Sequence, residues 1–551
     1  MIGGYDIAII FVWLALMLAL GKYLARSVSN TDDFYLANRA MPVTLVICAL
    51  GGCNLGMYNF LAEAGNAAQQ GVSIIWHEWT GNMAFAFAGL FILPAFRRLK
   101  LTTVPEFMGL RYGPKAHTLT AFMYSLKSAA KLSTMMYMGA YAASIIIPQL
   151  NFYVWICIFA LVVGIYTYEG GMVSLIFTSA AQFIMILIAS LIGYSFIAAK
   201  VGGLPGIVEK LPAEMMNFVP AQGKFDFKFI LAILFLGVNA WTCDQSMLQR
   251  SFGSKNVKTL VRAMVLTGIV LTPINPFHFF SGLAARILVP EAPSMSVDAI
   301  MIQLYTSLIP TIFLGLFIAG LLSGQLSVIG AELNAGATVL AQDIWQRWRR
   351  TAPSPQQKLR FSRLMTLLMT GLMLVGSILV LKVGSVVDVF LSIIGIFDTP
   401  IFVVAILYGL KVRRINQAGA IAGYLGGALC GGAARWACMA YSLPDYLWWT
   451  TVSAFFGAAV IALVVSLFFA PPDRAKIDAL YEREQEEDAD WYHIIPRSLP
   501  GKCTLGLIII GAALFFAGIL IGGMGGAHAS LLAVGGMVVY FVGCGARLLF
   551  D

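Results

Sequence analysis

Seven ionisable residues stand inside long apolar stretches of this chain: Glu63, Glu78, Lys127, Lys131, Asp244, Glu332 and Asp398. An eighth candidate, His278, comes just after Pro273, Asn275 and Pro276 in a polar, kink-prone stretch. In apolar surroundings a charged group costs about 3 kcal/mol or more unless it is paired or hydrated, so each must hold a counter-charge, a proton or a polar ligand. Lys127 and Lys131 are four residues apart and share one helix face. They need acidic partners, and Glu78 or Glu63 is the expected source. Asp244 and Glu332 fall toward the ends of their stretches, where pairing with a basic loop residue such as Arg250 is expected. An imidazole such as His278 can titrate near neutral pH or rest as a satisfied core group. The five histidines and eight cysteines are scattered without CxxC spacing, which gives no metal constellation and no disulfide frame.

The elements that position these groups are read from composition. The chain has 551 residues, 59% hydrophobic and only 11% charged, with a mean hydropathy of +0.82. Soluble domains carry about 25% charged residues, so a soluble enzyme, a nucleic-acid-binding domain and a disordered linker are all excluded. About fifteen apolar segments are long enough to read as membrane helices, near 5–26, 42–69, 72–96, 116–149, 152–168, 172–200, 226–248, 259–288, 309–344, 364–381, 386–410, 416–441, 448–470, 502–523 and 527–549. With the N-terminus outside and the C-terminus inside, the outer loops hold only Lys200, Lys210, Lys224, Lys228, Arg286, Lys382 and Arg435 of the 36 basic residues. That asymmetry obeys the positive-inside rule, so the net charge of +9 is topological and its partner is the lipid bilayer, not nucleic acid. The first segment begins Tyr5-Asp6 and lacks a small-residue cleavage pattern, which reads as a retained helix.

Two segments carry polar, glycine-bearing interruptions at membrane depth: Gly51-Gly52-Cys53-Asn54-Leu55-Gly56 and Gly237-Val238-Asn239-Ala240-Trp241-Thr242. Backbone can unwind there only where it lines a cavity or is buried in protein. Paired interruptions in corresponding places of two halves indicate inverted repeats around a central site. The expected fold is therefore an all-α polytopic membrane protein, in one transporter domain over 1–551. It has a leader helix at 5–26, a first repeat at 42–200, a second at 226–411, accessory helices at 416–470, a loop at 471–501 and a hairpin at 502–549. That loop, with its acidic run 482–488, reads as a solvated cytoplasmic linker. Only the apolar hairpin comes after it, with no catalytic domain, which argues against a sensor fused to an effector; the chain is read as a transporter and not as an enzyme.

Further residues resemble a known family. Phe34-Tyr35-Leu36-Ala37-Asn38-Arg39 is similar to the signature placed after the leader helix in the sodium:solute symporter family. Thr103-Val104-Pro105-Glu106-Phe107 with Arg111-Tyr112, Tyr168-Glu169-Gly170-Gly171, Asp244-Gln245 with Gln249-Arg250, and Glu332-Leu333-Asn334 with Thr338 and Asp343-Ile344 match in order. Glu78-Trp79 and the Asp244-Gln245 segment look most like the sodium/sugar branch. The resemblance implies a five-plus-five inverted repeat with broken first and sixth core helices, alternating access and uptake driven by sodium. It places the ion at Gly52, Leu55, Gly324 and Ser327. The family's second hydroxyl falls on Val328 and a nearby acidic position on Ser179, so the site lacks two oxygen donors that a hard cation needs. Ser323 or water could substitute.

For the solute, the resemblance and the polar residues together point to Asn59, Glu78, Trp79, Trp241 and Ser392. Other family contact positions fall on Gly81, Gly237, Leu271 and Ser392, and the inner-gate ring on Ala240. Asn54, Lys127, Lys131, Asp244 and His278 are gate or coupling candidates. The expected ligand is a small polar, sugar-like solute, with sodium the sole non-protein component and no cofactor. The expected location is a plasma membrane, the inner membrane of a bacterium. Three readings fit these residues: a symporter with a degraded sodium site, a sodium-independent or proton-coupled carrier, and a solute sensor that does not transport.

Overall fold

The computed structural model describes residues 2–349, 353–380, 386–486 and 492–550; Lys382 and the end of the acidic run, Glu487-Asp488, lie outside the described residues. The described chain is helical, its extended pairing limited to one isolated bridge between Met41 and Ser254. Among the described residues ten helices are long and apolar enough to cross a membrane, and two bent helix pairs bring the number to twelve. Two more helices are long but less apolar: Pro114–Ile146, which carries both buried lysines, and the glycine-rich Gln417–Ala440.

A leader helix (Gly4–Ala25) precedes ten core helices. Core helix 1 is the bent pair Val43–Asn54 and Asn59–Gln70, turning by 59°. Core helix 2 spans Val72–Arg98 and core helix 3 Pro114–Ile146. Core helices 4 and 5 share the run Phe152–Val201, which kinks at Gly171. Core helix 6 is the second bent pair, Phe227–Cys243 and Gln245–Phe252, turning by 49°. Core helix 7 comprises Val257–Leu271 and Pro276–Leu288, core helix 8 Phe313–Trp348, core helix 9 Pro355–Val380, and core helix 10 Val386–Ile401 continued to Lys411. Beyond the core come two accessory helices (Gln417–Ala440, Tyr446–Phe468), a helix in the polar loop (Arg474–Glu486) and the terminal hairpin (Leu499–Gly523, Ala529–Phe550).

Each break is made by a local side chain. At the first, Leu55 is extended and Asn59, in the first turn of the second half-helix, reaches back to accept the Gly56 N–H on Oδ1 at 2.7 Å, as the inner residue of a capping box does. At the second, Asp244 is extended and its Oδ1 accepts the Ser246 N–H at 2.9 Å. The first break falls at Leu55-Gly56, inside the expected interruption 51–56, with Gly51 and Gly52 still helical; the second is corrected, since Gly237 remains helical and the break falls at Asp244, two residues beyond 237–242. Gly237 serves packing instead: a Cβ there would lie 3.3 Å from the Cα of Gly81 on core helix 2.

The short segments are tied by the same logic. Gly171 has φ +50, and a Cβ there would lie 2.4 Å from the Phe34 carbonyl, so the kink between core helices 4 and 5 seats the Phe34–Arg39 turn. The leader helix is pinned by Asp6, which is fully buried. Its carboxylate accepts the backbone N–H groups of Gly3 (2.9 Å), Ile312 (2.8 Å) and Gly315 (2.9 Å), the last two at the start of core helix 8. A carboxylate at a helix N-terminus meets unpaired donors and the positive end of the dipole. Asp6→Ala is expected to strand these donors and cost about 1–3 kcal/mol, seen as a lower melting temperature of the purified protein, with Asp6→Asn losing less.

Candidate functional site

The two breaks border a central cavity of about 190 Å³, enclosed by core helices 1, 2, 3, 6, 8 and 10. Its polar groups lie on the broken helices and core helices 2, 3 and 8, among them Asn54, Asn59, His77, Glu78, Lys131, Asp244 and Gln325. Between them stand apolar walls of Met135, Met138, Leu236, Leu391, Ile394 and the ring of Trp241. Trp241 stacks on Phe85 at 3.7 Å between centroids, and its buried indole N–H has no acceptor among the described residues.

At one end of the cavity Glu78 is held by amides. Its Oε1 accepts from Asn59 Nδ2 at 2.8 Å, and its Oε2 from Asn54 Nδ2 at 3.1 Å and Asn275 Nδ2 at 3.2 Å. Asn59 Nδ2 also donates to Glu63 Oε2 at 3.1 Å. Two histidines complete the group. His77 Nδ1 contacts Glu63 Oε1 and lies 3.4 Å from Glu78 Oε1, while His278 Nε2 lies 3.4 Å from Glu63 Oε2.

On the other side Lys127 and Lys131 meet three carboxylates. Lys127 Nζ is 2.5 Å from Asp398 and 3.2 Å from Asp244; Lys131 Nζ is 2.6 Å from Asp244 and 2.9 Å from Glu332. Ser128 donates to the remaining Glu332 oxygen at 2.7 Å. The expected partners, Glu63 and Glu78, are thus corrected, because those carboxylates are already taken by amides and imidazoles. Pairing of Asp244 or Glu332 with Arg250 is corrected too. The fully buried Arg250 donates to the Ser246 carbonyl (3.3 Å) and the Ser179 hydroxyl (3.5 Å), and makes no ion pair among the described residues.

The residues expected to hold an ion do converge. A Cβ on Gly324 would lie 2.2 Å from the Leu55 carbonyl oxygen, and one on Gly52 would lie 3.4 Å from Ser327 Oγ. The Ser327 and Ser179 hydroxyls bond one another at 2.8 Å. Val328 faces the cavity beside them. The Ser323 hydroxyl accepts from Trp13 of the leader helix (2.6 Å) and donates to Ala319 O (2.7 Å).

Of the expected solute contacts, Asn59, Glu78 and Trp241 line the cavity. Trp79 and Ser392 lie behind its wall, a correction with a helical cause. Glu78 and Gly81 face inward, and Trp79, about 100° further round the helix, donates instead to Thr272 O at 3.0 Å and stacks on Phe218. Core helix 10 presents Leu391 and Ile394, while the Ser392 hydroxyl accepts from Arg435 at 2.9 Å and donates to Asp388 O at 2.5 Å. Among the gate candidates, Asn54, Lys131 and Asp244 line the cavity, whereas Lys127 and His278 are buried beside it.

His77 is the functional candidate that sequence reasoning misses, and with it the histidines cease to be scattered: Glu63, His77 and Glu78 offer ligating atoms within 4.8 Å of one another. The available signal is Gly81, an expected contact position lying one turn from His77 on the same face.

The lysine cluster makes a direct prediction. Lys131→Met leaves Asp244 and Glu332 short of a buried cation and is expected to cost about 3–5 kcal/mol. Joint replacement Lys127→Met with Asp398→Asn is expected to cost less than the sum of the two single changes, compared by melting temperatures of the four proteins.

Comparisons agree with this architecture. The profile of the sodium:solute symporter family matches residues 34–427. The chain is 24% identical to a sodium/glucose cotransporter 4 of Mus musculus over 85% of this chain and 76% of that protein. It is 22% identical to a sodium/sialic acid symporter of Proteus mirabilis over 86% of this chain and 97% of that one. A solved structure of a Na⁺-coupled sialic acid symporter in a substrate-bound, outward-open state superposes with a TM-score of 0.76 at 20% identity, covering 86% of this chain and 99% of that one, which establishes the five-plus-five fold. With a profile match across most of its length, this multi-pass membrane protein belongs to the sodium:solute symporter family and is a secondary transporter, not an enzyme.

Proposed function

We propose that the chain carries a small polar, sugar-like solute through the central cavity by alternating access, and that it does so without a sodium ion at the family's ion position. The bond between the Ser179 and Ser327 hydroxyls, beside Val328, carries the second half of this reading. A hard cation needs several oxygens at fixed distance. Here the two hydroxyls satisfy each other, the third position is a hydrocarbon, and the Ser323 hydroxyl is committed to Trp13 and Ala319. The Arg250 guanidinium, 3.5 Å from Ser179 Oγ, adds a fixed positive charge that opposes a second cation.

The solute half rests on the form of the cavity. Amide and carboxylate groups of Asn54, Asn59, Glu78 and Gln325 suit hydroxyls, and the Trp241 ring with the methionine walls suits the apolar face of a ring compound. The unpaired Trp241 indole N–H is a donor awaiting an acceptor. The relatives' names point to glucose and sialic acid, ring compounds rich in hydroxyls. The charge asymmetry of the loops supports an N-terminus outside and a C-terminus inside.

Proteoliposomes offered glucose, myo-inositol or sialic acid are expected to take up one of them equally well in sodium chloride and choline chloride. Val328→Ser is expected to introduce a sodium dependence. Uptake by the natural sequence that requires sodium overturns the proposal, and a ligand that stabilises the purified protein without crossing the bilayer would make it a sensor.

A further inference from the structure

The two ends of the cavity neutralise their charge in different ways. Around Asp244, Asp398 and Glu332 the compensation is fixed, in the ammonium groups of Lys127 and Lys131. Around Glu63 and Glu78 the ion-pairing partners are imidazoles, His77 and His278, with no lysine or arginine in ion-pair contact with either carboxylate among the described residues. Glu63 is fully buried and Glu78 5% exposed, so two uncompensated carboxylates there would be costly. Neutrality requires two exchangeable positive charges.

We propose that Glu63, His77, Glu78 and His278 form a proton-exchange site that serves as the coupling site in this carrier; the proposal rests on the carrier reading above. The unloaded cluster, with both imidazoles neutral, carries charge −2. Two protons taken from outer water bring it to zero, one shared between His77 and Glu63, the other held among Glu78, Glu63 and His278. No bond other than N–H or O–H forms or breaks, and both protons leave to water on the inner side once the cavity opens there.

Access and coupling are both built in. His77 and Tyr58 line the central cavity and also a second pocket, walled by Lys224, Asp388, Asp445 and Tyr446 in the loop and helix-end region on the side read as outer. His77 is the partly exposed member of the four, at 18% of its side chain, and therefore the door. Glu78 faces the cavity itself, where Lys131 and Asp244 are the charged groups opposite. Tyr58, Asn59 and Asn54 from core helix 1, Asn82 from core helix 2 and Asn275 from core helix 7 complete the surroundings, and Asn82 reaches the carboxylate only through Asn275, at 2.7 Å. Asn59 converts proton load into shape. Its Oδ1 caps the half-helix at Gly56 while its Nδ2 is shared between Glu63 and Glu78, so protonating either carboxylate weakens a bond held by the residue that sets the first break. A π-helical turn over Asn59–Glu63 places both residues toward the cluster.

The test is pH-difference infrared spectroscopy of the full chain in lipid, without solute. A protonated-carboxyl band that grows as pH falls is expected, lost in Glu78→Gln or in Glu63→Gln and moved along the pH axis in His77→Asn, which keeps both carboxyls should either glutamine variant fail to fold. A difference spectrum identical in wild type and all three variants overturns the site. So does zinc chloride that raises the melting temperature of wild type but not of His77→Asn, because Glu63, His77 and Glu78 would then hold a metal. In proteoliposomes, solute uptake indifferent to an imposed pH gradient overturns coupling. Absence of any uptake under any gradient retires the carrier reading instead, and leaves the infrared result standing.

Discussion

A charge inside a bilayer must find its compensation within the protein, and in this chain one carboxylate answers to more of the structure than any other. Asp244 uses one oxygen to cap the second half of core helix 6 and the other to hold both Lys127 and Lys131. The break in core helix 6, the rotation of core helix 3 and one wall of the cavity are thereby fixed by a single side chain. Asp398 and Glu332 then draw core helices 10 and 8 onto the same two ammonium groups. With three carboxylates and two lysines, the cluster is stable only as a unit, since losing one member strands the others in low dielectric. A region so constrained is suited to be the part that stays rigid while something else moves.

Asn59 is the counterpart at the first break, and the difference between the two is instructive. Both residues cap a half-helix, but Asp244 is bound to permanent cations and Asn59 to carboxylates whose own charge depends on protons. One break is thus set by chemistry that does not vary with pH, the other by chemistry that does. Whatever moves in response to proton load should therefore begin at core helix 1.

The helices are legible in the sequence because hydropathy and length are properties of contiguous residues. The same pattern shows which groups lie at membrane depth. Azimuth is harder to read. Trp79 and Ser392 are each one position away from residues that do line the cavity, and one position on a helix is about 100°. The partners of Lys127 and Lys131 are misread because Asp244 and Glu332 fall near the ends of their apolar stretches; a lysine side chain is long enough to reach them, and the helix break brings Asp244 inward. His77 escapes the sequence reading although Gly81, one turn away, already defines the face on which it lies.

The ion position separates two things that a sequence motif runs together. Gly324 sits where a Cβ would meet the Leu55 carbonyl at 2.2 Å, and Gly52 where one would meet the Ser179 carbonyl at 2.7 Å. These glycines are required for core helices 1, 5 and 8 to approach at all, whether or not an ion lies between them. The Ser327 and Ser179 hydroxyls bond one another at 2.8 Å, with Val328 beside them. Close packing and ion coordination are enforced by different atoms, so the approach of these helices depends on the glycines alone. Under the proposed proton coupling, the carboxylates elsewhere in the cavity are neutralised by the imidazoles beside them, with protons drawn from the gradient across the same membrane.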